Sequence, residues 1–180
     1  MFELITKDHK KELARILENI NISTTEEYAN ELTLLIYKIR EDIPTKNRIS
    51  YGKYSIIKQI GLTLYPLLVE RKINPYTFSK KLFNNIDFDQ FLRSLAIQLI
   101  SIYGKETGEI KKLLPLFEQA ASDDHWEMRE CSAGFIRKLI RQYPNVMKEW
   151  YKKIIVSEDP NLRRFASESI RPVADNKWFK

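Results

Sequence analysis

Leu92-Arg93-Ser94-Leu95-Ala96, Met128-Arg129-Glu130-Cys131-Ser132 and Leu162-Arg163-Arg164-Phe165-Ala166 are three copies of one pattern. Each sets an arginine one place after an apolar residue and a small residue three places after the arginine. The arginines stand 36 and then 34 residues apart. The last two copies each follow an acidic turn, Ser122-Asp123-Asp124 and Ser157-Glu158-Asp159. A small side chain lets a neighbouring helix approach closely, and a turn acid can pair with the arginine. Repeats of this length hold two helices, and each pair buries its apolar face only against the next. The spacing therefore predicts an all-α fold, a superhelix (solenoid) of antiparallel helical pairs. It forms a single domain over 1–180, with the repeats clearest in 87–172.

Outward from these copies the helical period continues in both directions. Helices are predicted at about 88–103, 109–121, 125–142, 145–156 and 160–171. The breaks fall at Gly104 to Gly108, Ser122 to Asp124, Tyr143-Pro144 and Ser157 to Pro160, short connections of the kind that join antiparallel neighbours. Towards the N-terminus, Leu13, Ile16, Leu17 and Ile20 mark one face of a first helix. Thr24 and Glu27 have the spacing of a capping box, and Tyr28, Leu32, Leu35 and Ile36 follow at helical intervals. A third helix runs from about Tyr51 to Val69, where Pro66 predicts a kink or an early end. Asn74-Pro75 opens a shorter one through Phe78, Leu82 and Phe83.

Composition narrows the functional classes. The 180 residues are 43% hydrophobic and 30% charged, as in a folded globular chain. No apolar run approaches the ~18 residues of a membrane span, so no membrane partner is expected. The opening Met1 to His9 lacks the basic-then-apolar order of a signal peptide, and the single Cys131 can form no internal disulfide. A cytoplasmic location follows as the expectation, bacterial in type and nucleoid-associated if the chain binds DNA. With two His and one Cys a zinc site is not expected, and neither metal nor cofactor is called for. The formal charge is +6, unevenly placed. Residues 124–180 hold 12 Lys/Arg against 8 Asp/Glu, and residues 1–123 hold 18 against 16. The last third thus carries most of the excess, which suits a polyanionic partner.

Within the helix at 125–142, Met128, Cys131, Ser132, Phe135, Ile136 and Leu139 should face the core. The opposite stripe is Glu130, Gly134, Arg137 and Arg141, and the next equivalent helix presents Arg164, Glu168 and Arg171. Arginine's planar fork suits phosphate oxygens, so two adjacent stripes could follow a nucleic-acid backbone. The alternative is packing: Arg129 and Arg163 bridging turn acids, and the other four serving the array itself. Gly134 inside a helix points to close approach by a backbone or ligand, or to nothing more than a tolerant surface. Trp150, with Met147, Ile154 and Ile155, belongs to the core. Trp126 starts a helix and should be partly exposed. Trp178 either lies on a base between Lys177 and Lys180 or folds back to cover the last apolar face.

The segment Leu162-Arg163-Arg164-Phe165-Ala166-Ser167-Glu168-Ser169-Ile170-Arg171-Pro172 resembles the Arg-Arg-x-Ala-Ser-Glu-x-x-Arg-Pro motif of AlkC-type DNA alkylation-repair proteins. Phe135-Ile136-Arg137 and Trp150-Tyr151 are compatible with that family. Trp126-Glu127-Met128-Arg129-Glu130 is similar to the Trp-x-x-x-Asp spacing of the related AlkD-type glycosylases. The resemblance covers about 120–178. It implies a HEAT-like solenoid gripping double-stranded DNA on a basic concave face. It also implies metal-independent hydrolysis of the N-glycosidic bond of N3- or N7-alkylated purines. Glu130 and Glu168 would then be the catalytic carboxylates that stabilise oxocarbenium character. Trp126, Arg137, Arg141, Arg164, Arg171 and Trp178 would be the DNA-binding residues. Two departures stand out: Ala133 occupies a place where the family tends to carry an acid, and Val173-Ala174-Asp175 follows Arg171-Pro172 in place of Arg-Leu-Pro-Trp. Three readings follow from the sequence: an alkylpurine DNA glycosylase, a non-catalytic DNA-binding module, and a protein–protein interaction scaffold.

Overall fold

The chain starts its helices with side chains that satisfy the first free N–H groups. Thr24 and Glu27 close the predicted capping box, the Thr24 hydroxyl accepting from the Glu27 N–H and the Glu27 carboxylate accepting from the Thr24 N–H. Asn74 accepts from the Thr77 N–H ahead of Pro75, and Asp159 accepts from the Asn161 N–H ahead of Pro160. Thr6 makes a less usual box in which His9 takes the glutamate's place. The Thr6 N–H donates to His9 Nδ1 at 3.2 Å while the His9 N–H donates to the Thr6 hydroxyl. His9 Nε2 is left to donate to Asp42 at 3.1 Å, so a buried imidazole ties the start of the first helix to the end of the second.

The structure, a computed structural model, describes residues 3–20, 23–48 and 51–171, and all regular elements among them are helices. They are α1 (Lys7–Glu18), α2 (Thr25–Glu41), α3 (Lys53–Glu70), α4 (Pro75–Asn84), α5 (Gln90–Thr107), α6 (Leu114–Ala121), α7 (Trp126–Gln142), α8 (Pro144–Ile154) and α9 (Pro160–Ser169). Short 3-10 turns lie at Thr45–Asn47 and Ile110–Lys112. The chain divides into two compact units, residues 1–99 and 100–180, with the division inside α5. Residues 91–104 of that helix are buried without interruption, the polar Arg93, Ser94, Gln98 and Ser101 included.

In the first unit α1, α2 and α3 pack on one another, and α4 lies against α2 and α3. Leu13, Ile16 and Leu17 meet Leu32, Leu35 and Ile36 in the core as their spacing requires. Ile20 falls after the end of α1 and is only half-buried. Pro66 does not end α3, which runs four residues further to Glu70. Pro66 is exposed, so the carbonyl it leaves unpaired can meet water. Arg93, near the start of its helix, is buried, donating from Nε to the Phe83 carbonyl with its guanidinium over the Phe83 ring.

The second unit is organised around α7, which packs on α6, α8 and α9. All six residues of its expected core face are buried, and so are Ala133 and Ile140. An acid at position 133 would therefore have to be buried. Trp150 is a core residue, edge-on to Tyr151 and Phe165, with its indole N–H donated to Glu118 on α6. Ile155, grouped with it by spacing, is instead 50% exposed, because α8 ends at Ile154 and the chain turns outward. The predicted break from Gly104 to Gly108 is shorter than expected: α5 continues to Thr107 and stops at Gly108, whose φ of 75° gives the left-handed C-terminal turn. Gly104 lies inside the helix for a packing reason. A Cβ there would sit 2.5 Å from Leu113 Cδ1 and 3.3 Å from both Ile110 and Leu139. The helix predicted at 109–121 is split into the 3-10 turn and α6, with Pro115 at the start of the latter.

Two ties set the direction of α7 against α9. Near their starts the Ser122 hydroxyl hydrogen-bonds the Asp159 carboxylate, and near their ends Arg137 donates to the Glu168 carbonyl at 3.0 Å. The helices therefore run the same way, side by side. The Ser101 hydroxyl makes a similar tie from the second half of α5 to the Phe135 carbonyl on α7, at 2.8 Å.

Gly104→Ala should destabilise the chain by about 1–3 kcal/mol, because the methyl meets three buried side chains that have no open side to move into. Urea denaturation followed by circular dichroism measures it, and an unchanged midpoint would show that these side chains make room freely.

Candidate functional site

The two ties leave the exposed stripes of α7 and α9 in the register of the 34-residue repeat. Glu130 corresponds to Arg164, Gly134 to Glu168 and Arg137 to Arg171. The side chains of Glu130 and Arg164 are exposed and form no hydrogen bond or ion pair with the described residues. Arg141 is exposed near the end of α7, and so is Lys138, a cation the stripe pattern passes over. Arg171 is exposed just beyond α9 and pairs with the half-buried Glu168 at 2.9 Å. Trp126, first residue of α7, is 60% exposed. Trp178 and Pro172 lie outside the described residues.

Arg137 has a different occupation. Its guanidinium reaches the Glu168 carbonyl at the last turn of α9, where backbone acceptors have no partner within the helix. Its Nε is buried without a partner among the described residues, and its charge acts on the buried Tyr151 phenol. Burial pushes that phenol well above its usual range, opposed by its hydrogen bond with Ser169 and by the Arg137 charge. The arginine thus closes the end of α9.

The last two arginines of the repeat behave alike, while Arg93 differs in reaching back ten residues to Phe83. Arg129 donates to the carbonyls of Asp123 and Asp124, and Arg163 to those of Ser157 and Glu158, each six and five residues back. The expected pairing with turn acids is corrected in kind: the guanidinium holds the turn through backbone carbonyls, and the acid side chains act elsewhere. Asp159 caps α9 and accepts from Ser122. The Asp123 carboxylate accepts from the His125 backbone N–H and lies 3.1 Å from its imidazole Nδ1. The Ser122 hydroxyl, then the N–H groups of Asn161 and Leu162 and the Arg163 charge, hold the Asp159 carboxyl below the usual carboxylate range against an opposing effect of burial. Ser-Asp-Asp and Ser-Glu-Asp are visible in the sequence as acidic turns, but a serine reaching the other turn's aspartate has no signature in spacing.

The arrangement offers cations along two co-directional helices and little that resembles an enclosed reaction site. In the register of the repeat Glu168 lies at the level of Gly134, four residues from Glu130, ~6 Å along the helix. The two carboxylates are therefore set apart along the stripe. Two hollows in the described surface are lined by Thr25, Glu26, Lys81, Asn84, Asn85 and Ile86, and by Gly108 to Lys112 with Val146; neither includes Glu130 or Glu168. Among the described residues no group of three or more His, Cys, Asp or Glu is placed to hold a metal ion. Compared with protein-family models, curated proteins and solved structures, the chain matches none.

Arg137→Met should cost about 1 kcal/mol of stability, since it removes a charged donor from a helix-end carbonyl that keeps only its backbone partners at Ile170 and Arg171, whereas Arg164→Gln should stay within about 0.5 kcal/mol. Equal effects in urea denaturation would contradict the division of labour between them. Asp159 has a depressed carboxyl in the folded state, so its contribution is present above the unfolded value near 4 and is lost as pH falls through the lower folded one. Asp159→Asn should flatten the acid limb of stability below about pH 4 while keeping the helix cap. A limb of unchanged slope would refute the assignment.

Proposed function

We propose that this chain is a HEAT-like array of helical pairs that binds double-stranded DNA along the exposed stripes of α7 and α9. The observation that carries the reading is the register of those stripes. Arg141 with Lys138 on α7, Arg164 on α9 and Arg171 just beyond it belong to two helices that run in the same direction and are held by a tie near each end. Guanidinium groups spaced along a rigid face can follow successive phosphates without base readout. The 34-residue offset, the arginine-held turns and the ties between equivalent helices support the helical-pair repeat. The likeness of residues 162–172 to the AlkC-type motif points to the same partner.

Excision of N3- or N7-alkylated purines is the finer activity that this likeness brings. Glu130 would supply the carboxylate, Trp126 the aromatic contact, and no metal or cofactor would take part. One observation favours plain binding: Glu130 is open to solvent and lines neither hollow, whereas stabilising a developing oxocarbenium asks for a carboxylate in a site that excludes water. A protein-interaction scaffold is the reading left if DNA does not bind.

Duplex affinity should fall linearly with salt on logarithmic axes. Neutralising Arg141, Arg164 and Arg171 together should reduce the slope by about 0.9 for each phosphate that these arginines engage. Fluorescence anisotropy at several salt concentrations measures both, and absence of binding at low salt would reject the DNA reading in favour of the scaffold. With duplex bound, incubation of methylated DNA with excess protein tests excision. Release of N3- or N7-methylpurine that disappears in Glu130→Gln would establish the glycosylase.

A further inference from the structure

The outward side of α8 carries a pattern that DNA binding by α7 and α9 leaves unused. Met147, Trp150, Tyr151 and Ile154 are its buried side. At helical spacing the opposite side reads Lys148, Glu149, Lys152, Ile155 and Val156, with Lys153 at its margin, and all six are exposed. Ile155 is 50% and Val156 76% exposed, in the turn just past the end of the helix. Lys152 and Lys153 stand within one turn behind them and Lys148 one turn further. The face is thus an aliphatic tip with a lysine collar.

We infer that this face of α8 docks on an anionic lipid bilayer, its lysines meeting headgroup phosphates and Ile155 and Val156 dipping below them. Such docking needs no membrane-spanning segment, and no helix of the described residues is long and apolar enough to be one. The field on this side is positive. Lys152 by its hydrogen bond and charge, then Lys148 and Lys153 by charge, hold the Glu149 carboxyl below its usual range. Glu149 is the one acid among these six residues. Beyond the tip Glu158 is exposed, and Arg163 lies beside it, bonded to its carbonyl. Trp126, 60% exposed, joins the same end from the adjoining turn, which the Ser122–Asp159 hydrogen bond holds in place.

Two features favour a bilayer over a nucleic acid on this face. Its cations are all lysines, flexible point charges that reach back to phosphates while their stems lie along apolar surface. Its exposed apolar groups are aliphatic, which gain from acyl chains and cannot stack on bases as aromatic rings do. The attachment is weak and reversible, because one short patch with few cations falls short of a stable anchor.

Flotation of the full chain with unilamellar vesicles tests the inference, comparing phosphatidylcholine alone with a mixture containing one-third phosphatidylserine. At low ionic strength the chain should float with the mixed vesicles and stay behind with the neutral ones. Lys148→Glu, Lys152→Glu and Lys153→Glu together should lower the bound fraction on the order of tenfold. Ile155→Ser with Val156→Ser should lower it about fivefold at unchanged charge. All five positions are exposed, so far-ultraviolet circular dichroism should report an unchanged fold in both variants. Three results would overturn the proposal: no flotation with anionic vesicles, equal flotation with neutral ones, or flotation indifferent to either variant. Protection of the α8 lysines from acylation by duplex DNA, with no vesicle binding, would reassign the face to nucleic acid.

Discussion

In residues 100–171 almost everything follows from how α7 is enclosed. Eight of its residues are buried, from Met128 to Ile140, and α6, α8 and α9 all pack on it. A helix covered that widely cannot carry charge around its waist. Its ionisable residues are confined to one narrow stripe and to its ends, as the burial of Ala133 and the half-burial of Gly134 illustrate. Packing of this kind fixes the neighbours as well, since close-packed helices have few ways to slide without opening voids. Exposed side chains on α9 then keep a constant offset from those on α7, and that offset produces a row of cations.

Enclosure creates a second demand, for the turns. Short connections between packed helices leave carbonyl groups without backbone partners, and donors that bind them hold the turn in one shape. Arg129 and Arg163 meet that demand with forked donors reaching two successive carbonyls each, and Arg137 does the same service at the end of α9. Arginine suits the task because its charge remains while its donors turn inward. The same residue type that suggests phosphate recognition is thus spent largely on holding the backbone. A smaller set, Arg141, Arg164 and Arg171 with Lys138, remains on the exposed side.

Function therefore divides between surfaces. The stripes of α7 and α9 offer guanidinium groups on a rigid, registered face, and the outer side of α8 offers lysines with an aliphatic tip. These belong to one compact unit and differ in chemistry more than in charge. Arginine forks and helical register suit an ordered row of phosphates, whereas ammonium groups around Ile155 and Val156 suit a fluid one. The candidate carboxylates fit less well, since Glu130 stands in the open and Glu168 is paired with Arg171.

The sequence alone determined most of the helices, because caps and apolar periods act over a few residues. Thr24 with Glu27, Asn74 ahead of Pro75, and the faces of α1, α2 and α7 all sit where their spacing puts them. The repeated arginine was legible as well, at Arg93, Arg129 and Arg163. Its partners were not, for a backbone carbonyl is present at every position and so has no pattern to read. The end of α5 escapes the sequence for a related reason. Gly104 looks like punctuation along the chain, and only Leu113, Ile110 and Leu139, brought against it by folding, show that it is there for space. Whether an arginine faces solvent or closes a helix is decided the same way. Arg137 and Arg164 belong to one stripe pattern, but Arg137 donates to a carbonyl at the end of α9, whereas the Arg164 side chain makes no hydrogen bond among the described residues. Local propensity could place both residues on a helix, and only the packing of one helix against the next could give them different tasks.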